Sequence, residues 1–174
     1  MKHSSWKQTS SWLFGVPLSG LLLVATSWPN AAQTVPTCQR QLTANVVALD
    51  QVFFYNRLGA VNPGGMMYAL RRDVVDVATG KTEAQGGVLT AGHVALRPDK
   101  RPRPIVLRMN VHDCLTINFQ NLLNPMRVDD NQPITRNAGL HVTGLQLVTN
   151  ISDDGSNVGA NASSLAAPGQ SKTY

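Results

Sequence analysis

After position 40 the apolar residues fall in short runs, separated by clusters of glycine, proline and asparagine. The clearest run is 115–119. There Leu115, Ile117 and Phe119 alternate with Thr116, Asn118 and Gln120, the two-residue period of a strand with one buried and one wet face. Residues 42–55 are rich in Val, Leu and Phe and predict a first strand, bent near Asp50. Residues 66–77 predict a second strand and 88–96 a third, interrupted at Gly92. Further strands are expected at 105–111 and at 140–148, the latter with Gly144 inside it. Asn62-Pro63-Gly64-Gly65 is a strong turn, 78–81 and 85–87 are turns, and 98–104 is a basic, proline-rich loop. No stretch after residue 40 carries a sustained 3.6-residue period with caps, and no internal repeat is present. Many short strands joined by turns predict an all-β protein, an antiparallel sandwich or barrel.

The first 32 residues follow a different pattern. Lys2 and Lys7 give a positive start, and 12–25 is a short apolar stretch interrupted by Pro17 and Gly20. A membrane span needs about 20 apolar residues. The segment therefore reads as a secretory signal, cleaved after Ala32 or, as second choice, after Ser27. The alternative is an uncleaved anchor. Residues 33–41 read as a linker, and 42–174 as one domain of ordinary size. The protein is expected to be exported, to the periplasm or the medium, with no stable membrane span after cleavage.

Hydrophobic content of 43% against 14% charged residues favours a packed core over disorder. The formal charge is +5, and setting aside Lys2 and Lys7 leaves 13 basic against 10 acidic residues. The basic groups are scattered apart from Arg71-Arg72 and 100–103, and no aromatic stripe accompanies them, so nucleic acid is not an expected partner. Cys38 and Cys114 are an even pair in an oxidising compartment, which predicts a disulfide between the start of the mature chain and a central strand. Two free core thiols are the alternative. Asn150-Ile-Ser152 and Asn161-Ala-Ser163 fit glycosylation sequons, which carry meaning only in a eukaryotic host.

The C-terminal run carries the chemistry. It reads Arg136-Asn-Ala-Gly-Leu-His141-Val-Thr143-Gly-Leu145, then Asp153-Asp154-Gly155, then Pro168-Gly169 and Tyr174. That order resembles the first, N-terminal cupredoxin domain of multicopper oxidases, whose pattern is Leu-His-Trp-His-Gly-Leu, Asp-Gly, then Pro-Gly-x-x-x-x-Tyr. Asn121-Leu122 and His112-Asp113 fit the places before it. The resemblance covers about 105–174, less than half of the chain. The long 150–167 insertion, rich in Asn, Ser, Gly and Ala, resembles large laccase-like and manganese oxidase-like bacterial proteins. The resemblance implies a Greek-key antiparallel β-sandwich of cupredoxin type. The family pattern runs on into another strand beyond Tyr174, so the implied domain is truncated and incomplete at its C-terminal edge.

The resemblance also implies copper in the parent protein, which would couple oxidation of a reductant to reduction of dioxygen. A His-x-His pair on one strand puts both imidazoles on one face. By motif position His141 is the possible copper ligand, matching the histidine on the lone type 2 copper. Thr143 stands where the family has a type 3 copper ligand, and a hydroxyl is a poor copper ligand. This chain therefore offers at most one weak copper site and is not expected to turn over alone. The implied partners are other cupredoxin domains of the parent chain or of an oligomer.

Two readings stay open: the domain of an oxidase, or a cupredoxin scaffold or binding module that lost its copper. His93 and His112 read as a loop or bulge residue and a turn residue, and His141 equally as a strand histidine bonded to a neighbour. Asp153 and Asp154 read as a solvated turn, or as carboxylates for a hard cation such as manganese. No Ser-His-Asp set, phosphate loop or zinc cluster is legible by spacing.

Overall fold

The structure, a computed structural model, describes residues 37–156 and 160–174. The expected signal segment and residues 33–36 of the expected linker lie outside the described residues. In chain order the strands are β1 (Arg40–Asp50), β2 (Phe53–Phe54), β3 (Val61–Asn62), β4 (Met66–Leu70), β5 (Val74–Asp76), β6 (Val94–Leu96), β7 (Asp113–Asn121) and β8 (Ser171–Thr173). Among the described residues helical ones are few and confined to single 3-10 turns at Arg71–Asp73, Glu83–Gln85 and Ile151–Asp153. The fold is β-rich, as the strand periods predict.

One four-stranded sheet, ordered β4-β1-β7-β8, organises the rest. Its central pair is parallel: β1 and β7 run together from Arg40 opposite Asp113 to Ala48 opposite Asn121. The sheet is thus mixed, where the sequence led to an antiparallel one. Parallel strands need a long crossover, and the whole 51–112 segment, with its two small two-stranded sheets β2-β3 and β5-β6, supplies it. β4 and β8 flank the pair in antiparallel register.

The apolar run Val46-Val47-Ala48-Leu49 explains why β1 is central. All four residues are buried, and a strand sends alternate side chains to opposite faces. Val46 and Ala48 pack with Ile117, Phe119, Leu123 and Ala166 on one face. Val47 and Leu49 pack with Ala69, Val74 and Leu122 on the other, where Val94 and Leu96 of β6 join them. A sheet covered on both faces gives a run without polar interruption. Phe119 anchors the first layer, edge-on to Tyr68 with centroids 5.9 Å apart and tilted against Tyr174 at 6.1 Å. Truncating a buried phenylalanine of this kind costs about 3–5 kcal/mol.

Several sequence expectations need correction. β1 begins at Arg40, inside the segment read as linker. The strand expected at 66–77 is broken by the 3-10 turn at Arg71–Asp73, and of 88–96 only Val94–Leu96 is strand. The expected strands at 105–111 and 140–148 do not form. Val106 and Val111 are exposed in the first, and Val142, Leu145 and Leu147 in the second. Alternation makes an apolar face available, but a strand also needs a ladder partner for its backbone.

Cys38 and Cys114 form a disulfide with Cα atoms 5.4 Å apart. It ties the entry of β1 to β7 beside the exposed Arg40–Asp113 ion pair of 2.5 Å. At the other end of β1, Asp50 receives the guanidinium of Arg136 and the side-chain amide of Gln132, while its second oxygen accepts the Asn124 N–H at 2.7 Å. Arg136 also donates to the Asn124 carbonyl at 3.1 Å. The fully buried Asn121 donates to the Arg136 and Ala166 carbonyls at 2.7 and 2.8 Å. These bonds satisfy backbone groups of Asn124 and Arg136 in the irregular segment that follows β7.

Candidate functional site

The polypeptide reaches His141 along a short stretch held by packing and backbone bonds. Ala138 bridges Ala166 in both directions at 3.0 and 2.8 Å, and Leu140 packs on the Phe119 layer. The Gly155 N–H donates to the Leu140 carbonyl at 2.8 Å. Only glycines allow this approach. A Cβ on Gly139 would lie 2.5 Å from the Gly155 oxygen, and one on Gly155 would lie 2.2 Å from the Leu140 nitrogen. His141, two residues after Gly139, and Asp154, just before Gly155, are thereby brought side by side.

Asp154 holds His141 with both carboxylate oxygens, 2.9 and 3.0 Å from Nδ1. The Ser156 hydroxyl donates to the same carboxylate at 2.7 Å. The Ser156 bond first, and then the His141 bond, keep the Asp154 carboxyl below the usual carboxylate range. With Nδ1 carrying the proton toward Asp154, Nε2 presents its lone pair on the other side. The Thr143 hydroxyl lies 3.3 Å from it. His141 is 53% exposed while Asp154 is only 12% exposed, so the carboxylate is the buried end of the pair.

A relay of bonds sets Asp154 in place from below. The Tyr174 hydroxyl donates to the Ser164 carbonyl at 2.6 Å, and the Ser164 hydroxyl donates to the Asp154 carbonyl at 2.5 Å. Burial, helped by Tyr68 and by the Asp154 charge, pushes the Tyr174 phenol up to about 12. The pair borders a groove of about 470 Å³ whose lining includes Cys38, Cys114, Leu140, Thr143 and Tyr174.

His141 and Thr143 are neighbours, but on an exposed turn rather than on a strand face. Asp153 is consumed locally: its carboxylate accepts the Thr149 and Asn150 N–H groups at 2.8 and 3.2 Å. It therefore closes the 3-10 turn and does not join Asp154 in facing a cation. His112 sits in a tight turn with φ of 69°, its carbonyl accepting the Gln39 N–H. His93 lies in the loop before β6, its backbone bonded to Thr90 and Val77. Sequence reasoning missed Ser156, Ser164 and the supporting role of Tyr174, all of which act through bonds with no spacing signature.

Among the described residues no group of three or more His, Cys, Asp or Glu side chains is placed to hold a metal. The donors at the site are one imidazole nitrogen and one threonine hydroxyl. They fit a single coordination position of a copper and do not complete a centre. Comparisons with protein-family models, with curated proteins and with solved structures give no match. Among the described residues no helix is long and apolar enough to cross a membrane.

Proposed function

We propose that the chain is a cupredoxin-like domain of an exported multicopper oxidase-type protein, and that it supplies one copper ligand, Nε2 of His141. The observation that carries this reading is the His141–Asp154 pair. A metal-binding imidazole commonly donates its other N–H to a carboxylate, which fixes the tautomer and raises the basicity of the ligating nitrogen. Asp154 stands in that relation to Nδ1, and Nε2 faces outward, where a sister domain or another subunit would bring further ligands. His141 would hold the copper, which would supply one-electron chemistry between a reductant and dioxygen. The chain's own part is to present and orient one imidazole. The β-rich fold is compatible with the sandwich that goes with this reading, and the disulfide is compatible with export.

A second reading has its own observation. The Thr143 hydroxyl already occupies the Nε2 lone pair and stands where a second ligand is wanted. That favours a copper-free cupredoxin scaffold or binding module outside the cytoplasm. Titration of the purified chain with Cu(II), followed by electron paramagnetic resonance, separates the two. The ligand reading expects one weakly held copper with a single-nitrogen signature, abolished in His141→Ala. No copper at millimolar concentration supports the scaffold. Near four coppers per chain with sustained oxygen uptake would overturn both.

A further inference from the structure

The basic, proline-rich loop takes no part in the site just described, and the structure places it against aromatic side chains. Residues 101–105 form one wall of an open groove of about 910 Å³. The opposite wall comes from the β2 region and β4 and includes Phe53, Phe54, Tyr55, Met66 and Tyr68. Gly65 makes this wall possible: a Cβ there would lie 2.2 Å from the Phe53 ring, so the ring seats directly on the backbone. Phe54 and Tyr55 are 76% and 69% exposed. Two adjacent aromatic rings left in water are an uncommon use of costly apolar surface.

The charge of the groove is one-sided. Its lining contains Arg101 and Arg103 and no carboxylate. The neighbouring cations are already paired, Arg97 with Asp99 at 2.9 Å and Lys100 with Asp73 at 3.4 Å. Arg101 and Arg103 have no ion-pair partner among the described residues. Pro102 and Pro104 alternate with them and fix the backbone φ, so the two guanidiniums are presented on a stiffened segment.

We propose that this groove binds a small aromatic carboxylate. The ring would stack among the exposed aromatics, which prefer flat, polarizable partners. The carboxylate would take the planar two-donor fork of an arginine, and the second guanidinium would lie over the ligand ring. The volume suits such a ligand. No residue is shared with the His141 groove, so failure here leaves the copper-ligand reading untouched.

Isothermal titration of the full chain with 2-naphthoate and with its neutral analogue 2-naphthalenemethanol tests the proposal. Naphthoate is expected to bind at least tenfold more tightly than the alcohol. The Arg101→Gln/Arg103→Gln double variant should lose that preference, and Phe54→Ala should weaken both ligands several-fold. All three positions are exposed, so the variants are expected to keep the wild-type circular dichroism. Equal affinity for the two ligands in the wild type, binding of neither, or a preference that survives the double variant would each overturn it. The wild-type comparison alone decides should a variant misfold.

Discussion

Asp50 and Arg136 form an ion pair across 86 residues of sequence, joining the end of β1 to the loop that leads into the candidate site. The Arg136 side chain is 2% exposed and that of Asp50 is 21% exposed. The guanidinium is therefore desolvated and depends on its partners. Removing one member of a buried pair strands the other, at a cost of about 3–5 kcal/mol. Arg136→Ala should lower stability by roughly 3 kcal/mol, read as a fall in the urea midpoint at constant slope. Asp50→Asn should cost as much or more, because it leaves the guanidinium charge buried. An effect below 1 kcal/mol in both would show that the pair is solvated.

The disulfide closes a loop of 76 residues. In the chain-entropy account such a link contributes about 4–5 kcal/mol by restricting the unfolded chain. Cys38→Ser/Cys114→Ser should therefore be markedly less stable, and reductant should reproduce the effect in the wild type. Chemical quench and mass spectrometry should find no alkylatable thiol without reductant.

Tyr174 gives the alkaline limit. Its phenol is raised to about 12, chiefly by burial. A raised acid stabilises the folded state fully below its unfolded value of about 10 and loses that contribution as pH climbs through the folded value. Stability should fall between pH ~10 and ~12, in step with a late phenolate absorbance near 295 nm. Tyr174→Phe should reduce that late step, leaving the part owed to Tyr68, whose phenol burial also raises, and flatten the stability curve in the same window. It should also loosen the Ser164 link to Asp154. A wild-type spectrum in which all phenolates appear together near pH 10 would contradict the buried hydroxyl.

How much of this was legible in the sequence depended on the range of the interaction. The alternation at Leu115, Ile117 and Phe119 marked β7 correctly, because a half-buried strand writes its period into adjacent residues. The run at 46–49 marked a strand but not its parallel partner, since pairing is a property of two distant segments. At 140–148 the pattern misled: Gly144 adopts φ of 85°, Leu145 and Val142 stay in water, and no strand among the described residues pairs with it. His141 stood out by its motif, and Asp154 as part of an Asp-Gly turn or as a carboxylate for a hard cation, not as the partner of His141. Their pairing required Gly139 and Gly155 to meet, which spacing alone does not report. The Asp50–Arg136 pair and the aromatic groove have no local signature.

The two neighbours of the His141 ring should act on copper affinity in opposite directions. Asp154 grips Nδ1 and fixes where Nε2 points. Asp154→Asn replaces a charged acceptor by a neutral one, and losses of a supporting carboxylate commonly cost about 10–100-fold in metal affinity. Thr143 instead competes for Nε2. A hydrogen bond is worth net about 0.5–1.5 kcal/mol, and this one is exposed, so Thr143→Ala should tighten copper by about two- to fivefold. Thr143→His should tighten it further by adding a second imidazole, without producing oxygen uptake. Copper titrations of the three variants, each against wild type, check the signs. A scaffold with no role in copper binding would show the same negligible affinity in wild type, Asp154→Asn and Thr143→Ala. Weakening in Thr143→Ala would make the hydroxyl a supporting group rather than a competitor, and would reverse the reading of that position.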